Sequence, residues 1–314
     1  MRRLLAILLL PLSALPFVLI VPTIMASHDR FEREHKMGPL PAPDVRLDAS
    51  AFERLDAHPK RVPVLAWHGI GDGRDEFGAA AFSRQLQLLK ALGYESISAA
   101  DWARFRAGDR SGLPKRPVLL TIDGGELDSY RRADDVLRRT GMRATMFVQT
   151  GPTEDGDPHY LRWKELHRMR DSGRWDIQPG AHRGHRTIAS GPRGEHAPFY
   201  VARQFTRSGG LESRAAWERR VSNDLFALRE RFERHGIKPV AIAVPYGDVG
   251  RRTTNDRALP RLLTGLLERQ FGSYFTQAAD AQFTRPGSGR AERFALDRDT
   301  RPEHLYRWLS RHSN

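Results

Sequence analysis

Residues 121–130, T-I-D-G-G-E-L-D-S-Y, concentrate carboxylates behind an apolar run, and this arrangement suits acid–base chemistry. The run from Pro117 to Leu120 predicts a buried parallel strand, which places Asp123 near its carboxyl end. Catalytic side chains of α/β folds gather at that end of the strands. Asp123 is therefore our candidate catalytic residue. The structural alternative is a turn former, because Asp-Gly is itself a turn pair.

A second cluster of chemistry-bearing residues follows a later apolar run. In W-D-I-Q-P-G-A-H-R-G-H, residues 175–185, two histidines stand close together, His182 and His185. Two imidazoles joined by a short loop can converge on a divalent ion, and Zn, Co or Ni suits nitrogen donors. We therefore predict both as metal ligands, with ordinary histidines of a polar loop as the alternative.

Alternating strand and helix patterns must position these groups. The predicted strands are 62–67, 95–97, 118–122, 144–148, 175–178, 240–244, 273–275 and 293–297. The predicted helices are 79–92, 129–140, 163–171, 212–235, 256–271 and 302–309. Residues 189–211 interrupt the alternation and are predicted to form a long loop. Repeated β-α units imply a parallel sheet, and this number of them indicates a closed or nearly closed barrel.

The composition limits the possible partners and chemistry. With 314 residues, the chain is long enough for one large α/β barrel or two small domains. A formal net charge of +13 suggests polyanionic neighbours, but the basic residues are scattered. No zinc-finger, RNA-recognition or basic-zipper pattern occurs, so nucleic acid is not a predicted partner. The absence of cysteine excludes disulfides and thiolate metal sites.

The N-terminal sequence predicts export. Arg2 and Arg3 precede the uncharged residues 4–26, which as a helix would reach roughly 34 Å, against about 30 Å for a hydrocarbon core. The two arginines should stay cytoplasmic, which places the following chain outside. Residues 1–27 are therefore predicted as a transmembrane anchor or a cleaved signal peptide. Residues 28–60 are predicted as a linker and residues 61–314 as the domain.

The segment from Thr121 to Gly125 resembles the T-F-D-D-G motif of the polysaccharide deacetylases, the NodB-homology carbohydrate esterases. The resemblance implies that Asp123 is the general base. The family's second aspartate, a ligand of the catalytic metal, corresponds to Gly124, which has no side chain. A divalent metal (Zn, Co or Ni) is the implied cofactor, but a conventional site is not expected here. Glu126 or Asp128 lies close enough in sequence to replace the missing carboxylate.

Two further segments resemble motifs of the same family. The region of His182 and His185 is similar to its histidine motif, although the spacing is shorter than usual. If His185 takes the second histidine's place, Gly180 or Ala181 takes the first. An apolar strand ends in Pro245-Tyr246-Gly247 and resembles the family's P-Y-G motif. That resemblance implies the Tyr246 N–H as an oxyanion donor and Pro245 as a substrate-binding residue.

The opening segment V-P-V-L-A-W-H-G-I, residues 62–70, is similar to the start of extracellular poly-N-acetylglucosamine deacetylases. This similarity implies Trp67 and His68 as substrate-binding residues. The family's L-x-H motif, whose histidine is its usual general acid, is not recognisable, so no histidine is assigned as the acid.

The resemblance covers residues 61–309 and implies a distorted (β/α)7 barrel of the NodB-homology type. It implies a metal-dependent, extracytoplasmic N-deacetylase that acts on cell-wall or exopolysaccharide amino sugars. Its partners would be N-acetylated polysaccharide or peptidoglycan, and the membrane through the N-terminal helix. The alternative is a catalytically inactive protein of the same fold that binds glycans. A glycosidase on this barrel would need two carboxylates, and Asp123 has no evident partner.

Overall fold

Parallel strands dominate the computed structural model, which describes residues 60–71 and 77–312. The strands of these residues are β1 Val64–Trp67, β2 Glu95–Ser96, β3 Pro117–Gly124, β4 Ala144–Gln149, β5 Trp175–Ala181, β6 Thr187–Ala189, β7 His196–Pro198, β8 Phe205–Thr206, β9 Gly210–Leu211, β10 Ile242–Ala243, β11 Tyr274–Ala278 and β12 Arg290–Leu296. The main sheet has the order β10-β11-β12-β1-β3-β4-β5, and β2 pairs with β3 beside this path. All of its strand pairs are parallel.

Helices connect the strands of this sheet. Over the described residues they are α1 Ala79–Ala91, α2 Ala99–Arg106, α3 Leu127–Thr140, α4 Thr150–Asp155, α5 Trp163–Asp171, α6 Arg214–Arg234, α7 Leu259–Phe271 and α8 Pro302–His312. Local sequence explains several boundaries. Ser98 and Asp101 form a capping box that begins α2, each side chain accepting from the other's backbone N–H. Gly141 ends α3 in the left-handed conformation that glycine adopts without strain.

The two edge strands of the sheet approach each other. The side-chain carbonyl of Gln178 on β5 accepts a hydrogen bond of 2.9 Å from the Val240 N–H, just ahead of β10. Gln178 is buried, so this bond bridges the edges inside the protein. The predicted α/β class and the nearly closed parallel barrel are therefore confirmed.

Side chains that point into the barrel form a continuous core. Five neighbouring strands contribute Val64, Leu119, Phe147, Phe275 and Ala291. Two aromatic rings of α2 complete this cluster, and that of Trp102 lies 4.5 Å from the ring of Phe275. These side chains fill the part of the barrel away from the carboxyl ends of its strands.

Most predicted elements are observed with boundaries shifted by a few residues, but one predicted loop and two unpredicted helices need correction. Residues 189–211 were predicted as a loop. The segment instead contains most of two short antiparallel hairpins, β6 with β7 and β8 with β9. Helices α2 and α4 were not predicted. Helix α2 has only eight residues, and its two aromatic residues stand among Asp101, Arg104 and Arg106. Helix α4 has only six residues, which include a glycine and a proline.

The predicted anchor or signal over residues 1–27 and the linker over residues 28–60 lie almost entirely outside the described residues. Within the described part of the chain, no helix is long and apolar enough to cross a membrane.

Candidate active site

A cavity of about 370 Å³ opens at the carboxyl ends of the strands, above the filled part of the barrel. Its polar lining consists of His68, Asp123, Glu126, Gln149, His185, Tyr246 and Gln277. These residues follow or end β1, β3, β4, β5, β10 and β11. The structure thus gathers side chains from distant parts of the sequence at the edge where the parallel strands end.

The two-residue repeat of β-strands sorts the residues at the end of β1. Val64 belongs to the barrel core, so Ala66 and then His68 follow on the same side, and His68 lines the cavity. Trp67 points to the opposite side, where it is fully buried 5.0 Å from the ring of Phe82 on α1. Trp67, which the resemblance placed among the substrate-binding residues, therefore packs between sheet and helix and does not line the cavity.

Asp123 is held by an arginine from β12. Both terminal nitrogens of Arg293 donate to its carboxylate, to Oδ1 at 2.6 Å and to Oδ2 at 2.8 Å. Arg293 is fully buried and also donates to Thr121 Oγ1 at 3.2 Å. Burial favours the neutral form of Asp123, but the charge and hydrogen bonds of Arg293 outweigh it and hold the pKa of the carboxyl below its usual value. Asp123 is therefore ionised and fixed in orientation.

His68 lies between Asp123 and Gln277. Its Nδ1 is 3.5 Å from Asp123 Oδ2, and its Nε2 is 2.7 Å from the side-chain nitrogen of Gln277 on β11. About half of the His68 side chain is exposed. The imidazole is therefore hydrogen-bonded at Nε2, lies near the Asp123 carboxylate at Nδ1 and remains accessible from the cavity.

His185 lies against the P-Y-G turn. Its ring stacks on the ring of Tyr246, with centroids 4.7 Å apart and planes at 12°. Burial lowers the pKa of the His185 imidazole, and the Asp123 carboxylate opposes this only in part. Pro245 also lines the cavity, and Tyr246 has a positive φ of 59°, which is uncommon for a residue with a side chain. Residues 245–247 thus form a tight turn on the cavity wall.

The side chain of His182 points away from the cavity. Its Nδ1 contacts Thr150 Oγ1 at 3.0 Å, and its backbone N–H donates to the buried carboxylate of Asp224 at 3.3 Å. His182 is not among the cavity-lining residues, whereas Gly180 and His185 are. The predicted pair of histidine ligands is therefore not brought together, since the side chain of His182 packs against the start of α4.

The residues of the cavity do not fit the family's aspartate and two histidines as a metal site. At the aspartate position, a Cβ added to Gly124 would come within 2.0 Å of Glu126 Oε1, so the Glu126 carboxylate occupies that space. Gly180 lies on the wall without a side chain, and only His185 remains of the histidine pair. Within the described residues, no three His, Asp or Glu side chains are grouped so that they could hold a metal ion.

A parallel barrel with a charged cavity at the carboxyl ends of its strands has the layout of a barrel enzyme. A family model described as polysaccharide deacetylase matches residues 110–259. YxkH of Bacillus subtilis (strain 168), provisionally named a polysaccharide deacetylase, is 28% identical over 127 residues, which cover 40% of this chain and 44% of that protein.

The poly-β-1,6-N-acetyl-D-glucosamine N-deacetylase of Staphylococcus epidermidis is 28% identical over 104 residues, covering 32% of this chain and 35% of that protein. The matched regions thus span less than half the length of these two relatives. The solved de-N-acetylase from Aggregatibacter actinomycetemcomitans has a TM-score of 0.70 at 19% identity, covering 79% of this chain and 100% of that one. Residues 110–259 therefore match the polysaccharide deacetylase family, and the fold is that of the solved de-N-acetylase.

Sequence reasoning missed three polar residues of the cavity region, Arg293, Gln277 and Gln149. Arg293 is one of 51 basic residues in the chain and looked like part of an ordinary closing strand. The available signal was its register, because Ala291 points into the core and strand alternation places Arg293 on the same face. Gln277 is paired with Arg293 across β11 and β12, so it belongs to the same layer.

Proposed function

We propose that this chain is a carbohydrate N-deacetylase that hydrolyses the acetamide of N-acetylated amino sugars in a polysaccharide or peptidoglycan. The observation that carries the proposal is the ion-paired Asp123, which ends β3 and faces a cavity that also holds two imidazoles and the P-Y-G turn. A volume of about 370 Å³ lies within the range of about 300–1,000 Å³ typical of small-ligand sites. The names of the relatives support the same reaction class.

In the proposed reaction, a water molecule loses a proton as its oxygen bonds to the acetamide carbonyl carbon. The C–N bond then breaks as the nitrogen takes up a proton, and the acetic acid and amine exchange one further proton to give acetate and an ammonium group. The intermediate carries a negative oxygen that needs a hydrogen-bond donor, and the backbone N–H of Tyr246 on the cavity wall is the proposed donor. Arg293 does not take this role, because its terminal nitrogens already bind Asp123. Arg293 instead holds the Asp123 carboxylate in place.

A second candidate is a glycan-binding protein of the same fold without activity. Gly124 and Gly180, which lack side chains where the family's pattern calls for ligands, favour it, as does the placement of His182 outside the cavity. Such a protein would keep the cavity and its polar lining but would release no acetate.

Acetate release separates the two candidates. The purified full-length chain is incubated with N-acetylglucosamine oligomers, either with Zn, Co or Ni salts or with a chelator. We expect release by the natural chain and none by Asp123→Asn. The matched control Asp171→Asn changes an exposed carboxylate on α5 and should leave release unchanged. Oligomer binding without release under every metal condition would favour the inactive glycan-binding protein.

We also propose that the domain acts outside the cytoplasm, held by the membrane or secreted. The support is the uncharged segment 4–26 behind Arg2 and Arg3. A β-lactamase fused behind the last residue of the chain should confer ampicillin resistance on intact cells. A sensitive strain with a stable fusion protein would contradict export.

A further inference from the structure

The proposed oxyanion donor, the backbone N–H of Tyr246, belongs to a turn in an uncommon conformation. Tyr246 has φ 59° and ψ 9°, and among the described residues it alone, apart from glycines, has a positive φ. A residue with a side chain stays in this left-handed region only where the surrounding structure fixes it. The contacts that fix the turn therefore also decide where this N–H points.

Two contacts restrain the turn at Gly247. Its N–H donates to the Val244 carbonyl at 2.9 Å, which closes the turn. The Gln277 side chain packs so closely that a Cβ on Gly247 would meet Gln277 Cβ at 2.7 Å. Both contacts act on the residue after Tyr246, whereas the Tyr246 carbonyl is bound by a group from outside the turn.

That group is the guanidinium of Arg252. Its Nη2 donates to the Tyr246 carbonyl oxygen at 2.9 Å. A hydrogen bond donated by a cation is stronger than one between neutral groups. A rotation of Tyr246 out of the left-handed conformation would turn its carbonyl away from the guanidinium and break this bond. Arg252 thus stabilises the observed conformation of Tyr246.

Asp248 in turn fixes the backbone of Arg252. The Asp248 carboxylate is buried. It accepts hydrogen bonds from the backbone N–H groups of Gly250, Arg251, Arg252 and Thr253 and from the Thr253 hydroxyl. A carboxylate bonded to successive N–H groups draws the loop around itself. The residue that carries the guanidinium is therefore held in place through its backbone.

The far end of the same loop is anchored by Asn255. Its side-chain oxygen accepts from the Arg203 N–H at 2.8 Å. Its side-chain nitrogen donates to the carbonyl oxygens of Ser190 at 2.9 Å and Arg203 at 2.7 Å. Residues 248–255 are thus tied down at both ends, which gives Arg252 a fixed base from which to reach Tyr246.

We propose that Asp248 and Arg252 are positioning residues that hold the Tyr246 N–H where it can bind the oxyanion of the proposed deacetylation. These roles rest on the proposed function, and both residues lie outside the cavity lining. Asp248 holds the loop, and Arg252 holds the Tyr246 carbonyl. The turn is therefore fixed through its backbone, and the tyrosine ring is not needed for this purpose.

Two adjacent arginines separate positioning from a general effect of charge. Arg251 and Arg252 are both exposed, but of the two only Arg252 donates to the Tyr246 carbonyl. In the purified full-length chain, Arg252→Met should lower kcat for acetate release from N-acetylglucosamine oligomers by about 10-fold. This is less than the 10²–10³-fold typical of a lost donor, because the N–H is displaced but still present. KM should stay nearly unchanged, since the oxyanion forms only after the substrate is bound.

The control Arg251→Met removes the same charge and should match the natural chain. Arg252→Lys keeps a donor and should recover part of the loss. An unchanged kcat in Arg252→Met, an equal loss in Arg251→Met, or a loss confined to KM would overturn the proposal.

Asp248→Asn tests the other half of the arrangement. It replaces one acceptor oxygen by an amide nitrogen and should also lower kcat. Because both residues act through Tyr246, the double variant Asp248→Asn/Arg252→Met should be about as slow as the slower single variant. Losses that multiply would show independent effects and would refute the link between Asp248 and Arg252.

Hydrogen exchange followed by mass spectrometry reports on the turn without any substrate. The Gly247 N–H should exchange roughly 2- to 10-fold faster in Arg252→Met than in the natural chain or in Arg251→Met, as expected for the loss of one hydrogen bond. Equal exchange in all three proteins would overturn the proposal.

The proposed function and the positioning roles fail in distinguishable ways. If the natural chain releases no acetate, the function fails, while exchange at Gly247 still shows whether Arg252 holds the turn. If the natural chain releases acetate and Arg252→Met does so equally fast, the function stands and the role of Arg252 is refuted.

Discussion

Replacing Arg293 by methionine tests the electrostatic design of the site. The side chain of Arg293 is fully buried and makes two hydrogen bonds to the Asp123 carboxylate. Removing one partner of a buried pair leaves an uncompensated charge and costs about 3–5 kcal/mol. Asp123 is 21% exposed at the cavity, so water can solvate it in part, and we expect the lower limit, about 3 kcal/mol. At an m-value of about 3 kcal/mol/M, the urea midpoint should fall by about 1 M.

The sign of the pH dependence follows from Asp123. Because its folded-state pKa is depressed, the pair contributes stability that is present above the unfolded value of about 3.9 and is lost as pH falls through the folded value. In Arg293→Met, burial remains and raises the pKa of Asp123, so the variant is penalised at neutral pH and relieved once the carboxyl is protonated. The stability difference between the two proteins should therefore shrink between pH 7 and about pH 3.5.

Urea unfolding followed by circular dichroism measures this difference at both pH values. The control is Arg170→Met, which removes an exposed ion pair with Asp171 and should cost no more than about 1 kcal/mol. The double variant Asp123→Asn/Arg293→Met should recover part of the loss, because no charge is left unpaired. A loss below about 1 kcal/mol for Arg293→Met, or a difference that is equal at both pH values, would refute the reasoning.

Three further variants test other parts of the site and fold. Gly124→Ala should lower the free energy of unfolding in urea by about 1–3 kcal/mol, because φ is 106° and the new Cβ would meet Glu126 Oε1 at 2.0 Å. The control Gly265→Ala, inside α7, should instead raise the free energy of unfolding by about 0.5–1 kcal/mol. Asp224→Asn should lose about 1–3 kcal/mol in the same assay. The buried Asp224 carboxylate accepts hydrogen bonds from a tyrosine hydroxyl at 2.6 Å and from two backbone N–H groups. Stability equal to that of the natural chain would contradict this prediction. Tyr246→Gly keeps the backbone N–H and tolerates the positive φ. Its acetate release should therefore fall by much less than the 10²–10³-fold that is typical of a lost oxyanion donor. A loss of that size would show that the tyrosine ring itself is needed.

Local sequence patterns were sufficient to predict most of the strands and helices. Apolar runs ending in glycine-rich turns identified the sheet strands, and glycines such as Gly141 marked the ends of helices. Helix α2 was not predicted from the sequence, because Trp102 and Phe105 are buried inside the barrel and do not form the apolar stripe of an amphipathic surface helix. The hairpins within residues 187–211 were not predicted, because strands of two or three residues are too short to show a periodic pattern of apolar residues.

The site was predictable only where its residues lie at strand ends. Asp123, predicted from the apolar run before it, and His68, predicted from the resemblance, both line the cavity. Trp67 was predicted from the same resemblance but lies on the opposite side of β1, because successive side chains of a strand alternate in direction. Arg293 could not be found from motifs, since its partner Asp123 is 170 residues away and register alone brings them together. His182 was misplaced because the turn after β5 directs its side chain to Thr150.

The most direct test is acetate release from N-acetylglucosamine oligomers by the natural chain and by Asp123→Asn, measured side by side with Asp171→Asn. The proposed function predicts release by the natural chain and by Asp171→Asn, and none above background by Asp123→Asn. Equal release by all three proteins, or no release by the natural chain under any metal condition, would contradict it.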